Sequence, residues 1–460
     1  MVFVARSELD LSRYDAIVAG SGPAGGSVAE GLSRGNRKVL VIETGGSEYR
    51  AEAQENYSAV KGGGHYVGSH WSSHWIRMLG GTSNIWGGWC APFSERNFDR
   101  WPISRSDLEP YYLSAAQALY RPPDFLTYRK SVLDQFEYRA ISDEDPLRYS
   151  DPVKFATFPN DPNVHVLLEH SVGALTASQD GSRVEAFELY GVSEGNRELI
   201  ELREEQALVL AGGAMGNAQI LLASNDGTRA SIGDEHGQVG RYLQEHPHMG
   251  VGKIICRANA LIPSMDEGFG GIRHALFPSD SLYHEAGELD VCLVLSEASI
   301  DSTDQTERYL SEEFGPGARA YRVSVMAGRA ENHGSRAEGF DPCGWPLLFA
   351  QCVVDSDSLE AVDFVMRSLG SSLLDSNVGR LRFDVERVYS DIGGGGHTIG
   401  TTRMGTDATS SVVDSDCRVH GYRNLFIAGS SVFATGSCVN PTLTIVALAQ
   451  RLADYLAKGI

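Results

Sequence analysis

The chain has no CxxC pair, no CxxCH and no cysteine spacing of the zinc-module kind. Its seven cysteines, at 90, 256, 292, 343, 352, 417 and 438, are scattered and odd in number. This usage argues against a disulfide framework and against haem attached in cis, and it is what reduced thiols in a cytoplasm look like. Basic charge is also scarce. Lys plus Arg number 39 against 60 Asp plus Glu, a net charge of −21, and no Lys/Arg-rich run interrupts the excess. A phosphate backbone or an anionic lipid surface is repelled overall by such a chain, so nucleic acid is not an expected partner. No stretch reaches the roughly 18 uninterrupted apolar residues of a spanning helix, so no obligatory membrane segment is expected. The first residues, MVFVARSELDLSRYD, lack a basic region followed by a long apolar core and a small-residue cleavage site. No signal peptide is read there, and a cytoplasmic location is expected. With 42% hydrophobic and 22% charged residues over 460 positions, the chain has material for two or three substructures with sizeable cores.

What the chain does have is glycine at structured places. YDAIVAG (14–20) reads as a buried strand, SGPAGGSVAEGLSRGN as a glycine-opened helix, and KVLVIETGG (38–46) as a second buried strand ending in an acid. In this βαβ unit Gly20, Gly22 and Gly25 form GxGxxG, and Glu43 follows the last glycine by 18 residues. Gly20 permits the tight turn, Gly22 lets backbone approach a pyrophosphate, Gly25 lets helix and strand pack closely, and Glu43 can accept from a ribose hydroxyl pair. The pyrophosphate would rest on the helix N-terminus, beside Pro23 and Ala24. The motif points to a dinucleotide and leaves FAD or NAD open. Further on, NVHVLLEH, VEAFELYG and LIELREE read as strands, ALVLAGGAMGNAQILLAS as strand, turn and helix, and NLFIAGSS as another strand and turn. A closing helix is expected from Pro441 to Gly459.

The most unusual stretch is SDIGGGGHTIGTTRMG (390–405), where His397 follows four glycines. Residues without Cβ atoms let a chain turn sharply and pass close to a cofactor or substrate. Three blocks bear on its meaning: MLGGTSNIWGGWCAPFSERNFDRWPIS (78–104), ALVLAGGAMGNAQILLAS (207–224) and the run from HTIGTTRMG at 397 to VNPTLTIVALAQRLADYL. With the N-terminal fingerprint they resemble the glucose–methanol–choline family of flavoprotein oxidoreductases, especially pyranose oxidases and bacterial sugar or polyol dehydrogenases.

The resemblance implies an α/β fold, α+β overall. A Rossmann-like FAD domain would be built from discontinuous segments (1–90, 160–245 and 391–460), and an inserted substrate domain (91–159 and 246–390) would carry a mostly antiparallel sheet. It implies FAD at the fingerprint, covered by a loop containing Gly81, Thr82, Asn84, Trp86 and Gly87. It also places Val172 at the adenine, Ala211 and Gly212 at the second turn, Gly429 and Ser430 at a strand end beside FAD, and Asn440, Pro441 and Thr442 at the flavin end. His397 matches the catalytic histidine and Asn440 its partner. Where pyranose oxidases carry a histidine bonded covalently to flavin this chain has Ile85, so FAD is expected to be non-covalent.

The implied reaction removes a hydride from the carbon of a small-molecule alcohol to flavin N5 and a proton from its oxygen. A neutral histidine has the proton affinity to act as the base, and Asn440 would donate to the developing alkoxide. The electron acceptor, O2 or another, and the oligomeric state are not readable. Blander readings stand beside these. His397 could be structural, Asn440 an N-cap, and His246 and His248 in EHPHMG a crossover between domains, while Cys438 reads as a small core residue. His65, His70 and His74 have spacings that suit metal ligands only on a helix, which their Gly and Ser neighbours disfavour, so no metal is expected. A lyase of the same fold that binds FAD without redox chemistry is the alternative. An NAD-dependent dehydrogenase explains the fingerprint but none of the later blocks.

Overall fold

The computed structural model describes residues 2–57, 61–63, 75–143, 145–151, 161–192, 195–224, 231–258, 272–328, 335–340, 346–351, 354–390 and 392–459. His65, His70 and His74 lie outside the described residues. Every residue of the short strands Ala16–Ala19, Val39–Ile42 and Ala207–Leu210 is buried. Continuous apolar runs without alternation are what a strand covered on both faces requires. These three form the middle of a six-stranded sheet in the order Val2–Phe3, Val164–Leu167, Val39–Ile42, Ala16–Ala19, Ala207–Leu210, Leu425–Ile427, with every neighbouring pair parallel.

The fingerprint helix Pro23–Arg34 has proline at its first position, where the missing N–H costs nothing, and packs against the closing helix Thr442–Gly459. A Cβ on Gly31 would come within 2.5 Å of the Ala453 Cβ, so close contact of the two helices depends on that glycine. The closing helix starts one residue later than its sequence suggests. Its first turn is sealed by the Ile445 N–H donating to the Pro441 carbonyl at 2.9 Å.

The less regular middle of the sequence folds mainly into an eight-stranded antiparallel sheet. Its order is Gly379–Phe383, Pro247–Cys256, Arg319–Ala327, Val291–Ala298, Ile272–Pro278, Phe136–Ser142, Arg129–Leu133, with Ile392–Gly394 also on Pro247–Cys256. Its side chains alternate as strand periodicity demands. Leu276, Leu293, Leu295, Val323 and Val325 join the core formed with the helix Ser356–Asp375. Ala275, Phe277, Cys292, Val294 and Met326 face the other way, into the core of the parallel-sheet half. That helix is capped by Asp355, whose side chain accepts the Ser358 N–H at 2.8 Å, and it buries Leu359, Val362, Val365, Met366, Leu369 and Leu373 at helical spacing.

The glycine run itself joins the antiparallel sheet. Pro247–Cys256 begins against it, with Pro247 opposite Gly394 and His248 opposite Gly393. The first half of the run is therefore strand, and the turn expected there is confined to Gly395 and Gly396, the latter at φ +74°. Among the described residues no helix is long and apolar enough to cross a membrane.

Candidate active site

A cavity of about 580 Å³ lies between the parallel sheet and the start of the antiparallel one, a size ordinary for a cofactor or ligand site. At one end are the fingerprint glycines. Gly20 sits at φ +112°, and a Cβ there would meet the Ala211 carbonyl oxygen at 2.5 Å, so two strand-to-helix turns touch through it. A Cβ on Gly25 would come within 2.0 Å of the Gly20 carbonyl oxygen. Gly22 differs. A Cβ there would meet no protein atom closer than 3.9 Å, so packing does not require glycine, and the bare backbone at the helix start fronts the cavity. That is the cradle a pyrophosphate needs.

Glu43 stands at the end of its strand, also on the cavity wall. Its Oε2 accepts the Ser21 N–H at 3.0 Å and the Ser21 hydroxyl at 2.6 Å, and Oε1 accepts the Gly45 N–H at 2.9 Å. Burial still raises its proton affinity above the ordinary carboxylate value, against those bonds. The carboxylate thus braces the fingerprint turn while it faces the cavity.

At the other end three imidazoles meet. His397 Nδ1 is in very short contact with His246 Nε2, and the Asn440 amide nitrogen lies 3.3 Å from His397 Nε2. A proton on Nδ1 satisfies both contacts: Nδ1–H donates to His246, and Nε2 accepts from Asn440. His248 stands edge-on to His246, with ring centroids 4.7 Å apart, and its Nε2 is buried without a hydrogen-bond partner among the described residues. Burial lowers the proton affinity of His246 far below the ordinary histidine range, helped by His397 and His248, and lowers that of His248 to about 4. Both rings are neutral at pH 7. Gly395 explains the bare backbone here, since a Cβ on it would lie 2.6 Å from His397 Nδ1, 2.8 Å from His246 Nε2 and 3.0 Å from His248 Nε2.

Two buried carboxylates hold this end in place. Glu245 accepts the His397 N–H at 2.8 Å, and the N–H groups of Gly396, Gly395 and His246 also face it. Desolvation nevertheless pushes it up to about 7. Asp290, at the start of Val291–Ala298, accepts from Ser437 Oγ at 2.7 Å, the Cys438 N–H at 3.0 Å, Asn97 Nδ2 at 2.9 Å and Arg96 Nη2 at 3.0 Å. The segment leading to Asn440 is thereby fastened to the antiparallel sheet.

Of the residues expected to hold the cofactor or act in catalysis, all but Gly25 and Asn84 line this one cavity. Gly25 packs behind the turn. Asn84 donates to the Leu79 and Gly81 carbonyls at 2.9 and 2.8 Å and accepts from Ser150 at 2.6 Å, so it shapes the covering loop from behind. Cys438 is fully buried and off the wall. His246 and His248 are the main omission. EHPHMG does cross into the antiparallel sheet as expected, but His246 touches His397 and His248 lines the cavity. A usable signal was present: His-x-His on a strand puts both rings on one face, and glycines on the adjoining strand leave them room. Arg77, Trp89 and Gln219 also line the wall; Trp89 and Gln219 lie within the 78–104 and 207–224 blocks but were not among the expected site residues, and Arg77 lies outside every motif.

The family model described as GMC oxidoreductase matches residues 376–449, the segment holding His397 and Asn440. The 6'''-hydroxyparomomycin C oxidase of Streptomyces lividus is 24% identical over 541 residues, covering 97% of this chain and 92% of that protein. The C-glycoside 3-oxidase of Microbacterium trichothecenolyticum is 25% identical over 330 residues, covering 69% and 59%. The 2-methyl-1,2-propanediol dehydrogenase of Mycolicibacterium austroafricanum is 22% identical over 285 residues; there the match covers 56% of this chain and only about half, 49%, of that relative's length. Among solved structures, pyridoxine 4-oxidase from Mesorbium loti has the same fold, with a TM-score of 0.63 at 15% identity over 96% of this chain and 99% of that one. Fold, cavity and matched segment agree: the chain is similar to the glucose–methanol–choline (GMC) oxidoreductases, most directly over the matched residues 376–449.

Proposed function

We propose that the chain is an FAD-dependent enzyme that oxidises a CH–OH group of a sugar, aminosugar, cyclitol or similar polyol to the carbonyl. The observation that carries this reading is the pairing of His397 Nε2 with Asn440 Nδ2 on the wall of the same cavity as the Gly22 backbone. Relatives named as oxidases of an aminoglycoside and of a C-glycoside support the substrate class. FAD, when bound, supplies the acceptor for the hydride that leaves the substrate carbon. Gly22 and the start of its helix would hold the pyrophosphate, Glu43 a ribose, and the Val172 backbone the adenine. Ile85 offers no atom for a bond to flavin, so the cofactor is held non-covalently, and heat denaturation should release it into solution.

The substrate hydroxyl displaces the Asn440 amide from His397 Nε2 and gives its proton to that nitrogen. Asn440 then donates to the oxygen as negative charge develops there. His246 is neutral, so it accepts from Nδ1–H and holds the base in the tautomer whose lone pair faces the substrate. The test is anaerobic titration of the flavin-loaded protein with sugars, aminosugars, cyclitols and simple alcohols. One class should bleach the oxidised-flavin spectrum, and His397→Ala should slow the bleaching by about 10²–10⁴-fold. Flavin that no alcohol reduces, or reduction untouched by His397→Ala, would overturn the proposal. Readmitting air separates O2 from another electron acceptor.

A further inference from the structure

One ring nitrogen from each of His246, His248 and His397 lies within 4.8 Å of the other two. All three approach the bare backbone of Gly395, where a Cβ would lie 2.8, 3.0 and 2.6 Å from His246 Nε2, His248 Nε2 and His397 Nδ1. Three convergent imidazole nitrogens are the ligand set of a tetrahedral ion with one position left for water. Zinc binds imidazole nitrogen at about 2.0–2.1 Å, so small ring rotations that part His246 from His397 and draw in His248 complete the site. A second observation points to a ligand: His248 Nε2 is buried, aimed into the cluster and without a hydrogen-bond partner among the described residues. The proposed hydroxyl oxidation needs nothing from that nitrogen.

We propose that His246, His248 and His397 form a site for a divalent transition ion of the Zn2+ class, and that the bound ion switches alcohol oxidation off. The inhibition, though not the site, rests on the reading of His397 as the base. An ion on Nδ1 takes the lone pair there, so the single proton of the neutral ring moves to Nε2. That nitrogen then presents N–H to the substrate and cannot accept its hydroxyl proton. No proton is gained or lost overall, and no redox change is involved.

The test uses the flavin-loaded full chain freed of metal with a chelator. Cu2+ as a spectroscopic probe should bind once per chain with an EPR spectrum showing nitrogen hyperfine splitting, and Zn2+ should displace it. His248→Ala should weaken Zn2+ binding, measured by calorimetry, more than about 10-fold, and His248→Gln, a non-ligand of similar bulk, should do the same if the alanine variant folds poorly. Zn2+ should slow flavin reduction in the parent protein at concentrations that leave His248→Gln reduction unchanged. Binding indifferent to both substitutions, or a copper spectrum without nitrogen splitting, overturns the site. Zinc bound at the site with flavin reduction undiminished overturns the switch. A zinc-free protein whose flavin no alcohol reduces overturns the oxidase reading instead and leaves the calorimetric result standing.

Discussion

Removing the charge of Asp290 should loosen the join between the two halves of the candidate active site. The carboxylate is 7% exposed and receives four donors, among them Arg96, whose side chain is 9% exposed. Arg96 Nε and Nη1 have no hydrogen-bond partner among the described residues, and the Asp280 carboxylate oxygen on its other side is 3.8 Å away. Asp290→Asn keeps the shape but strands that cation and turns an N–H toward donors. Breaking a buried pair from one side costs about 3–5 kcal/mol. At about 2.1 cal/mol/K per residue, unfolding 460 residues carries an entropy near 1 kcal/mol/K, so the thermal midpoint should fall by about 3–5 °C. Arg96→Met in the same chain removes the stranded charge and should recover part of the loss, giving a non-additive cycle. The pH dependence has a definite sign. The folded Asp290 titrates below the ordinary 3.8, because Arg96 and its hydrogen bonds outweigh desolvation. Its stabilisation is complete above that value and is lost as pH falls through the lower folded one. The gap between parent and variant, measured by scanning calorimetry, should therefore be constant from pH 8 to 5 and close only below about 4. A gap under 1 °C at pH 7, or one that closes between pH 8 and 5, refutes the reasoning.

Other changes have equally direct readouts. Gly395→Ala forces a methyl against three imidazole nitrogens and should cut the rate of flavin reduction about 10²-fold in anaerobic stopped flow, with the protein still folded. Asn440→Ala should lower kcat about 10²–10³-fold with a smaller effect on KM, since its hydrogen bond strengthens as charge develops on the oxygen. Glu43→Gln leaves one acceptor oxygen for three donors and should weaken FAD retention about 10–100-fold, followed by flavin loss on gel filtration. Gly31→Leu overpacks the contact with Ala453 and should cost about 1–3 kcal/mol of stability without touching the absorbance of bound flavin.

The fold class was legible because the parallel strands are short and wholly apolar and two of them run directly into glycine turns, a pattern with few alternatives. The antiparallel sheet was harder. It draws Phe136–Ser142 next to Ile272–Pro278, and no local signal encodes pairing across such separations. The same limit explains the site. His397 and Asn440 stand in distinctive surroundings. His246 acquires its meaning only from a ring 151 positions away, brought near by the register of Pro247 against Gly394. Glu245 and Asp290 were passed over because an acid beside ordinary polar residues reads as surface until burial is known.

The cavity's walls come from opposite ends of the chain, Gly20 and Glu43 on one side and Gly429 to Thr442 on the other. During synthesis at about 5–20 residues per second, the interval between these parts is roughly 20–80 s. Through that time the N-terminal βαβ unit lacks the strand Leu425–Ile427 and the helix Thr442–Gly459 that complete its sheet and cover its helix. The cavity is therefore completed late in the life of each molecule. A nascent chain must be protected until its closing helix emerges, and a truncation of the final thirty residues strips Asn440, Pro441 and Thr442 from the cavity wall along with the helix.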